Sequence, residues 1–250
     1  PGTYWVCETQ QTGWVQTYPA NNACQQVVID QSGETNEAVK FGNQGRGTIT
    51  VKKNVDSNGD GTVDYYNVDN WQWDYGTDAD FATGTTQTVA AGTYSVSEHQ
   101  WENYHLTSVS CSGERSVEQN ETIEISVAPG EAVVCTYTNT RDTGFIKVVK
   151  EIYPSDDDGV FNLLVDGTVK AENVGDAGTT EWVRVPTGTR TVSETAGTDT
   201  DMAHYDSWYM CWDDSEEFEG MRTAQFDGYW NEGEGTTTDV AVEMGQRIVC

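Results

Sequence analysis

The sequence predicts an all-β fold, and three observations carry that prediction. Thr, Val and Gly are abundant while Leu and Lys are scarce, a composition that favours strands and turns over helices. Apolar and polar residues alternate with a period of two in several segments, and no window shows an amphipathic helical pattern. Nine Trp, twelve Tyr and six Phe are too many for a disordered acidic chain, so we expect the strands to pack into cores.

Six alternating segments are the clearest strand candidates. In the first of them Ile49, Val51 and the aliphatic stem of Lys53 share one face, and the fourth segment repeats this pattern. Clusters of Gly, Asp and Asn separate the segments, as expected for turns. In chain order they are residues 47–53, 122–128, 132–139, 144–150, 160–165 and 182–185.

An internal repeat organises the chain. Residues 1–8, 91–98 and 187–194 share the frame G-T-[YR]-x-V-x-E, except that Pro1, Ala91 and Thr187 differ before the Gly. A second frame relates residues 47–53 to residues 144–150 at nearly the same period. Two independent frames at one period indicate repeated β-units.

The repeat predicts three units. Residues 1–44 are the C-terminal half of one repeat, and residues 45–141 are a complete repeat. Residues 142–250 are a repeat that lacks its last strand and carries an acidic, aromatic insertion at about 212–235. We expect the chain to be either part of a longer array or a processed subunit whose missing strands a neighbour supplies.

The cysteines fit these units, with two in each. No CxxC pair is present and the chain has only three His, so a zinc or redox site is not expected. Three disulfides within the repeats, and an oxidising compartment, are therefore expected. The predicted bridges are Cys7–Cys24, Cys111–Cys135 and Cys211–Cys250.

The charge narrows the range of partners. The chain has 41 Asp and Glu residues but only 13 Lys and Arg residues, which gives a net charge of −28. So acidic a surface repels nucleic acid and anionic membranes, and no apolar run is long enough to span a bilayer. No phosphate loop and no catalytic arrangement of the three His is recognisable, so an enzyme is not expected.

The order of the motifs resembles a known family. G-x-I-x-V-x-K at 47–53, Y-x-V-x-E at 94–98 and C-T-Y-T-N at 135–139 resemble the prealbumin-like SpaA/Cna B-type domains of bacterial surface proteins and pilins. Residues 1–44 resemble the closing half of the related SdrD B-like repeat. The resemblance implies tandem Greek-key β-sandwiches of immunoglobulin-like or prealbumin-like form, used as an extracellular stalk at a cell surface.

The resemblance also implies an internal isopeptide bond. Many relatives join a Lys of the first strand to an Asn of the last, with a buried acid as catalyst; in the complete repeat these are Lys53, Asn139 and Glu98. Such a bond forms in a single turnover. The alternative is that Lys53 extends its ammonium to water, Glu98 is a hydrogen-bonded buried acid and Asn139 ends a strand. Partial sets are Lys150 with Glu194, and Glu8 with Asn43.

A calcium loop is predicted in the turn after the first strand of the complete repeat. The segment follows D-x-[DN]-x-[DN]-G, in which oxygens at alternate positions converge on the ion. The last position holds Asn67 where a bidentate Glu is usual, and Asp69 could compensate. The alternative is a hairpin turn without metal. The candidate Ca²⁺ ligands are Asp56, Asn58, Asp60, Thr62 and Asp64.

Aromatic residues cluster in the third repeat. Packing within or between subunits is the favoured interpretation, and exposed rings that bind a glycan are the alternative. A glycosylation sequon begins at Asn120. The function expected is a structural stalk, fibre or filament whose partners are head-to-tail copies of itself; the alternative is an adhesin for a glycan or a surface protein. The candidate binding residues are Trp208, Tyr209, Trp212, Tyr229 and Trp230.

Overall fold

A computed structural model describes residues 1–112, 121–214 and 231–250. The described residues form two compact units. The first comprises Pro1–Asp56, Val63–Trp101 and Leu106–Asn139; the second comprises Ser57–Thr62, Glu102–His105 and Thr140–Cys250. Residues 1–44 thus share a unit with most of the predicted complete repeat, and the division into three repeats stays a prediction.

Eleven strands account for the sheets of the first unit in the described residues, and one short 3-10 turn, Ala20–Asn22, lies among them. The strands are β1 (Gly2–Val6), β2 (Trp14–Tyr18), β3 (Gln25–Ile29), β4 (Gly42–Asp56), β5 (Gln72–Tyr75), β6 (Asp78–Ala82), β7 (Thr86–Ala90), β8 (Gly92–Glu98), β9 (Tyr104–Cys111), β10 (Thr122–Val127) and β11 (Ala132–Arg141).

These strands build two large sheets and a small one. One sheet has the order β10-β8-β5-β6, and the other has the order β2-β4-β11-β9, with β7 also paired to β4. β1 and β3 form a separate antiparallel pair. Because the non-consecutive strands β4 and β11 are neighbours, the chain crosses between sheets, as the predicted Greek-key sandwich requires.

β4 runs through the predicted boundary between residues 44 and 45. Its first part pairs with β2, with Trp14 opposite Gly45, and its second part pairs with β7, with Ile49 opposite Gln87. No turn-forming break interrupts the extended backbone, so one 15-residue strand serves both partners. Gly13 is required where β2 begins: its φ is +81°, and a Cβ there would meet the backbone of Gly130.

The core of the first unit lies between its two large sheets. Alternation along β4 buries Ile49 and Val51 completely, and they pack with Trp73 of β5 and Val96 of β8. Each such side chain contributes roughly 1.5–3 kcal/mol by leaving water. The indole of Trp73 donates to the Ala82 carbonyl over 3.1 Å, so its polar atom is satisfied inside the core.

Nine strands and a second 3-10 turn, Met202–His204, lie in the described part of the second unit. The sheets have the orders β15-β12-β20-β17-β18 and β14-β13-β16-β19. The strands are β12 (Thr143–Lys147), β13 (Phe161–Val165), β14 (Thr168–Val174), β15 (Val183–Pro186), β16 (Gly188–Ala196), β17 (Trp208–Asp213), β18 (Asn231–Glu234), β19 (Thr237–Val242) and β20 (Arg247–Val249).

The second unit repeats the sandwich arrangement. β12 and β20 are parallel, with Ile146 opposite Ile248, and both side chains are fully buried. They pack against Leu163 of β13 and Val240 of β19, so residues of both sheets form one core. The predicted all-β sandwich class is confirmed. None of the described helical segments is long and apolar enough to cross a membrane.

The structure brings the six cysteines together in the three pairs expected from the sequence. Cys111 of β9 meets Cys135 of the neighbouring β11 with Cα atoms 4.0 Å apart. Each disulfide stabilises its unit by about 2–4 kcal/mol, chiefly by restricting the unfolded chain. The other two pairs are Cys7–Cys24 and Cys211–Cys250, with Cα separations of 4.4 and 4.1 Å.

Candidate functional site

The central residue of the candidate site is Lys53, near the end of β4. It continues the inward face that Ile49 and Val51 begin, and its side chain is completely buried. Alternation in a strand gives it no route to solvent, because every second side chain of β4 points into the core. The alternative in which Lys53 extends its ammonium to water is therefore wrong.

Glu98 provides the partner for this lysine. It is the last residue of β8, lies opposite Trp73 of β5, and its carboxylate accepts a hydrogen bond from Lys53 Nζ. Both side chains are fully buried, so water does not screen the contact. The ring of Trp71 covers the ammonium, with Nζ 3.9 Å from its centroid, and Trp101 stacks on Trp71 at 4.6 Å.

Asn139 completes the set from β11, the sheet neighbour of β4. Its side chain is fully buried, and neither Oδ1 nor Nδ2 has a hydrogen-bond partner of ordinary geometry among the described residues. The amide still lies close enough to Glu98 to lower the pKa of that carboxyl. A buried amide without partners is costly for folding, so its place in the core requires an explanation.

Burial shifts both ionisable groups toward their neutral forms. Desolvation lowers the pKa of the Lys53 ammonium from 10.5 to about 8, because it outweighs the stabilising charge and hydrogen bond of Glu98. Desolvation also raises the pKa of the Glu98 carboxyl, and its contacts with Lys53 and Asn139 offset this only in part. A neutral amine is a nucleophile and a neutral carboxylic acid is a proton donor, so the pair is suited to acyl transfer.

One side chain of the site was missed in the sequence analysis. Tyr137 is fully buried two residues before Asn139, its hydroxyl donates to the Val96 carbonyl over 3.1 Å, and burial and Glu98 raise its pKa. The period of two places it on the face of Asn139, so the motif C-T-Y-T-N contained this signal. No sequence signal predicts the stacking of Trp71 and Trp101, since both lie outside strands.

The two partial sets are also brought together. Lys150 Nζ lies 2.7 Å from Glu194 Oε2, with the two side chains 15% and 13% exposed, and Ser207 donates to the other oxygen of Glu194. Asn43 Nδ2 donates to Glu8 Oε1 over 2.5 Å at an exposed position. Each set thus holds two of the three groups that the complete repeat assembles.

The predicted calcium loop forms a tight turn between β4 and β5. The Asn58 side chain accepts from the Asp60 amide over 2.9 Å, and the Asp60 side chain accepts from the Thr62 amide over 2.8 Å. Asp56 is buried, and the Asp64 amide donates to the Val55 carbonyl over 2.9 Å. These contacts shape the turn. Calcium binding stays a prediction.

The aromatic residues of the third repeat differ in exposure. Trp208 is 62% exposed, whereas Tyr209 and Trp212 are half-buried. Trp208 borders an open cleft of about 640 Å³, also lined by Tyr205 and Glu234. The remaining candidates Tyr229 and Trp230, and the sequon at Asn120, lie outside the described residues.

Comparison with known proteins identifies part of the chain. No curated protein matches it in sequence. In structure it is similar to the major pilin from Streptococcus pyogenes, at 12% identity over 81% of this chain and 96% of that one, with a TM-score of 0.36. It is also similar to the Bacillus anthracis TIE protein, at 11% identity over 98% of this chain and 52% of that one, with a TM-score of 0.36.

A third similar structure is the pilus adhesin SpaC from Lactobacillus rhamnosus GG, at 13% identity over 79% of this chain and 36% of that one, with a TM-score of 0.38. Likeness at these scores carries no argument about function. The family model of a prealbumin-like fold domain of the SpaA type, in contrast, matches residues 49–141 and includes Lys53, Glu98 and Asn139. Residues 49–141 therefore match a SpaA-type prealbumin-like domain, in agreement with the resemblance of the motifs.

Proposed function

We propose that this chain is a structural part of an extracellular stalk or fibre at a cell surface, and that its middle repeat is locked by an isopeptide bond. The observation that carries the proposal is the buried amide of Asn139, which lies beside the buried pair of Lys53 and Glu98 and has no hydrogen-bond partner of ordinary geometry among the described residues. A covalent bond between the neighbouring strands β4 and β11 would explain why this otherwise unfavourable arrangement is present in the core.

The reaction balances without a cofactor. The neutral Nζ of Lys53 attacks Cγ of Asn139, and an Nζ–Cγ amide bond replaces the Cγ–Nδ2 bond. Glu98, protonated at the start, gives its proton to the leaving nitrogen and takes one from the attacking nitrogen, so that Nδ2 departs as ammonia and the carboxyl is again neutral. The lowered pKa of Lys53 and the raised pKa of Glu98 supply the neutral forms that this sequence of steps needs.

A mechanical function explains why the site is closed. Both reacting side chains are fully buried in the core, so no exchangeable substrate reaches them. A bond from β4 to β11 would prevent a pulling force from unfolding the strands between them, and the Cys111–Cys135 bridge reinforces part of the same segment. Covalent staples of this kind suit a protein that carries tension and not one that turns over substrate.

Single-molecule pulling under reducing conditions tests this function. In the wild-type chain, the segment between Lys53 and Asn139 should not extend. In the Asn139→Ala variant the same 86-residue segment should lengthen by roughly 290 Å when it unfolds, at about 3.4 Å per residue. Extension of the wild-type segment by the same length would contradict the mechanical role of the bond.

Head-to-tail copies of this chain are the partners that a fibre requires. The acidic surface would keep separate fibres apart, because like charges repel at long range. Denaturing gels of material from the cell surface should show a ladder of subunit multiples that persists in reductant if covalent bonds also join the copies. A single band at the monomer mass, with no higher species under native conditions, would refute self-assembly.

The loop between β4 and β5 would bind Ca²⁺ and stiffen the turn. The supporting observation is the alternation of oxygen-bearing side chains at Asp56, Asn58 and Asp60 in an ordered turn. Calcium should raise the unfolding temperature of the wild-type chain and leave an Asp60→Ala variant unchanged. An equal rise in both proteins would show that the ion acts elsewhere.

A second candidate function is adhesion through the cleft beside Trp208. An exposed indole next to a carboxylate is an arrangement that stacks sugar rings and hydrogen-bonds their hydroxyls, and Trp208 is 62% exposed with Glu234 in the same cleft. A glycan array comparing the wild-type chain with Trp208→Ala tests it. Binding that the substitution abolishes would support adhesion; an array without signal for the wild type would refute it.

A further inference from the structure

Three potential metal ligands meet on the outer face of the four-stranded sheet of the first unit. Asp74 lies on β5, Asp80 lies on the neighbouring β6, and His99 directly follows β8, the other neighbour of β5. Glu98 lies directly opposite Trp73 in the sheet, so both side chains point into the core. Because side chains alternate along a strand, the next residue, His99, points outward. The three side chains thus come from three adjacent strands.

The potential ligand atoms lie nearly as far apart as they would around a bound metal ion, so small movements of the side chains would complete the site. His99 Nε2 lies 2.9 and 3.0 Å from the two oxygens of Asp74 and 4.0 Å from Asp80 Oδ1. Ligands about 2.0–2.1 Å from a tetrahedral Zn²⁺ are about 3.3 Å apart, between these values. Within the described parts of the chain, this is the only group of three His, Cys, Asp or Glu residues whose ligand atoms all lie within 4.8 Å of one another.

Asp80 is directed toward the other two residues by the backbone. A register shift between Trp73 and Tyr75 on β5 interrupts the pairing with β6, and Asp80 adopts a φ of +64°. Its amide donates to Asp74 Oδ1 over 2.9 Å, which fixes that carboxylate in place. An ion pair between His99 and Asp74 alone would not explain why Asp80 lies beside them, whereas a metal site needs a third ligand.

We propose that Asp74, Asp80 and His99 bind a divalent transition-metal ion of the zinc type. One imidazole nitrogen and two carboxylates suit such an ion, whereas Ca²⁺ prefers oxygen ligands alone. The side chains are 29%, 70% and 37% exposed, so the ion has access from solvent and keeps at least one open position on that side. The bound ion ties β5, β6 and β8 together beside the strand end that carries Glu98.

Calorimetric titration of the full chain with Zn²⁺ tests the site, in buffer with excess Ca²⁺ to occupy oxygen-only sites. The wild type should bind one equivalent, with Co²⁺ giving the visible absorption of a low-coordinate nitrogen and oxygen site. His99→Ala should weaken this binding at least tenfold. Asp80→Asn should weaken it as well, and because Asp80 is 70% exposed this variant is expected to keep the fold.

The matched control is His105→Ala. His105 is also an exposed histidine paired with one carboxylate, that of Asp142 at 2.6 Å, but none of the described residues adds a second carboxylate. Unchanged Zn²⁺ binding in this variant, with the loss in His99→Ala, supports the site. Equal binding by His99→Ala and the wild type, or no stoichiometric binding by the wild type, would overturn it.

Discussion

Removing Glu98 from a chain that cannot crosslink leaves the buried ammonium of Lys53 without its carboxylate. The parent for this experiment is Asn139→Ala, in which Lys53 and Glu98 remain as an ion pair. Adding Glu98→Ala should lower the free energy of unfolding by about 3–5 kcal/mol at pH 7, the usual loss when one partner of a buried pair is removed. The side chain of Lys53 has no exposed surface through which water could compensate.

The loss has an upper limit that depends on pH. Lys53 can become neutral by releasing its proton, so the cost of burying it cannot exceed the free energy of that deprotonation. This free energy is about 5 kcal/mol at pH 7 but only about 2 kcal/mol at pH 9, since the unperturbed pKa of lysine is 10.5. In this range the unfolded chain binds one proton more than the folded variant, so the stability of the variant rises with pH. The destabilisation relative to the parent should therefore shrink at pH 9.

Urea denaturation followed by tryptophan fluorescence measures both values, because Trp73 is fully buried in the core of the same unit. Adding Lys53→Met to the double variant removes the ammonium and should restore most of the stability at pH 7. A loss that is the same at pH 7 and pH 9, or that Lys53→Met does not reverse, would refute the account of a buried and unscreened lysine.

Three further predictions concern other contacts. Replacing Cys111 and Cys135 together by Ala should destabilise the first unit by about 3.5 kcal/mol, from a loop of 24 residues, while the transition of the second unit stays unchanged in calorimetry; a shift of the second transition would contradict this. Tyr137→Phe should cost about 0.5–1.5 kcal/mol in urea denaturation, because the Val96 carbonyl loses its donor, and a neutral effect would show that the hydrogen bond contributes nothing. Trp208→Ala should change stability by less than about 0.5 kcal/mol, since the ring is mostly exposed; a large loss of thermal stability would mean that it packs in the fold.

Much of the fold could be predicted because the relevant signals are local. The period of two along residues 47–53 identifies the inward face of β4, and burial of Ile49, Val51 and Lys53 follows from it. The repeat frames predicted which cysteines belong together, because each pair lies within one repeat. These predictions needed only alternation and spacing.

Features that depend on tertiary contacts escaped prediction. One of them is the length of β4, which continues through residues 44 and 45, because a strand ends where its partners end and those partners, β2 and β7, are distant in sequence. The ring of Trp71 covers Lys53 and stacks on Trp101, which is 30 positions away, and both tryptophans lie outside any strand. The cluster of Asp74, Asp80 and His99 likewise arises from the pairing of three strands, which no spacing in the sequence reveals.

The mass of the purified chain and a peptide map around Lys53 and Asn139 test the central claim most directly. The account predicts that the wild-type mass is lower by one ammonia, in addition to the hydrogens lost in disulfides, and that one crosslinked peptide contains both residues. Glu98→Ala and Asn139→Ala should each restore the full mass. Unmodified Lys53 and Asn139 peptides from folded wild-type protein, beside an intact Cys111–Cys135 bridge, would contradict it.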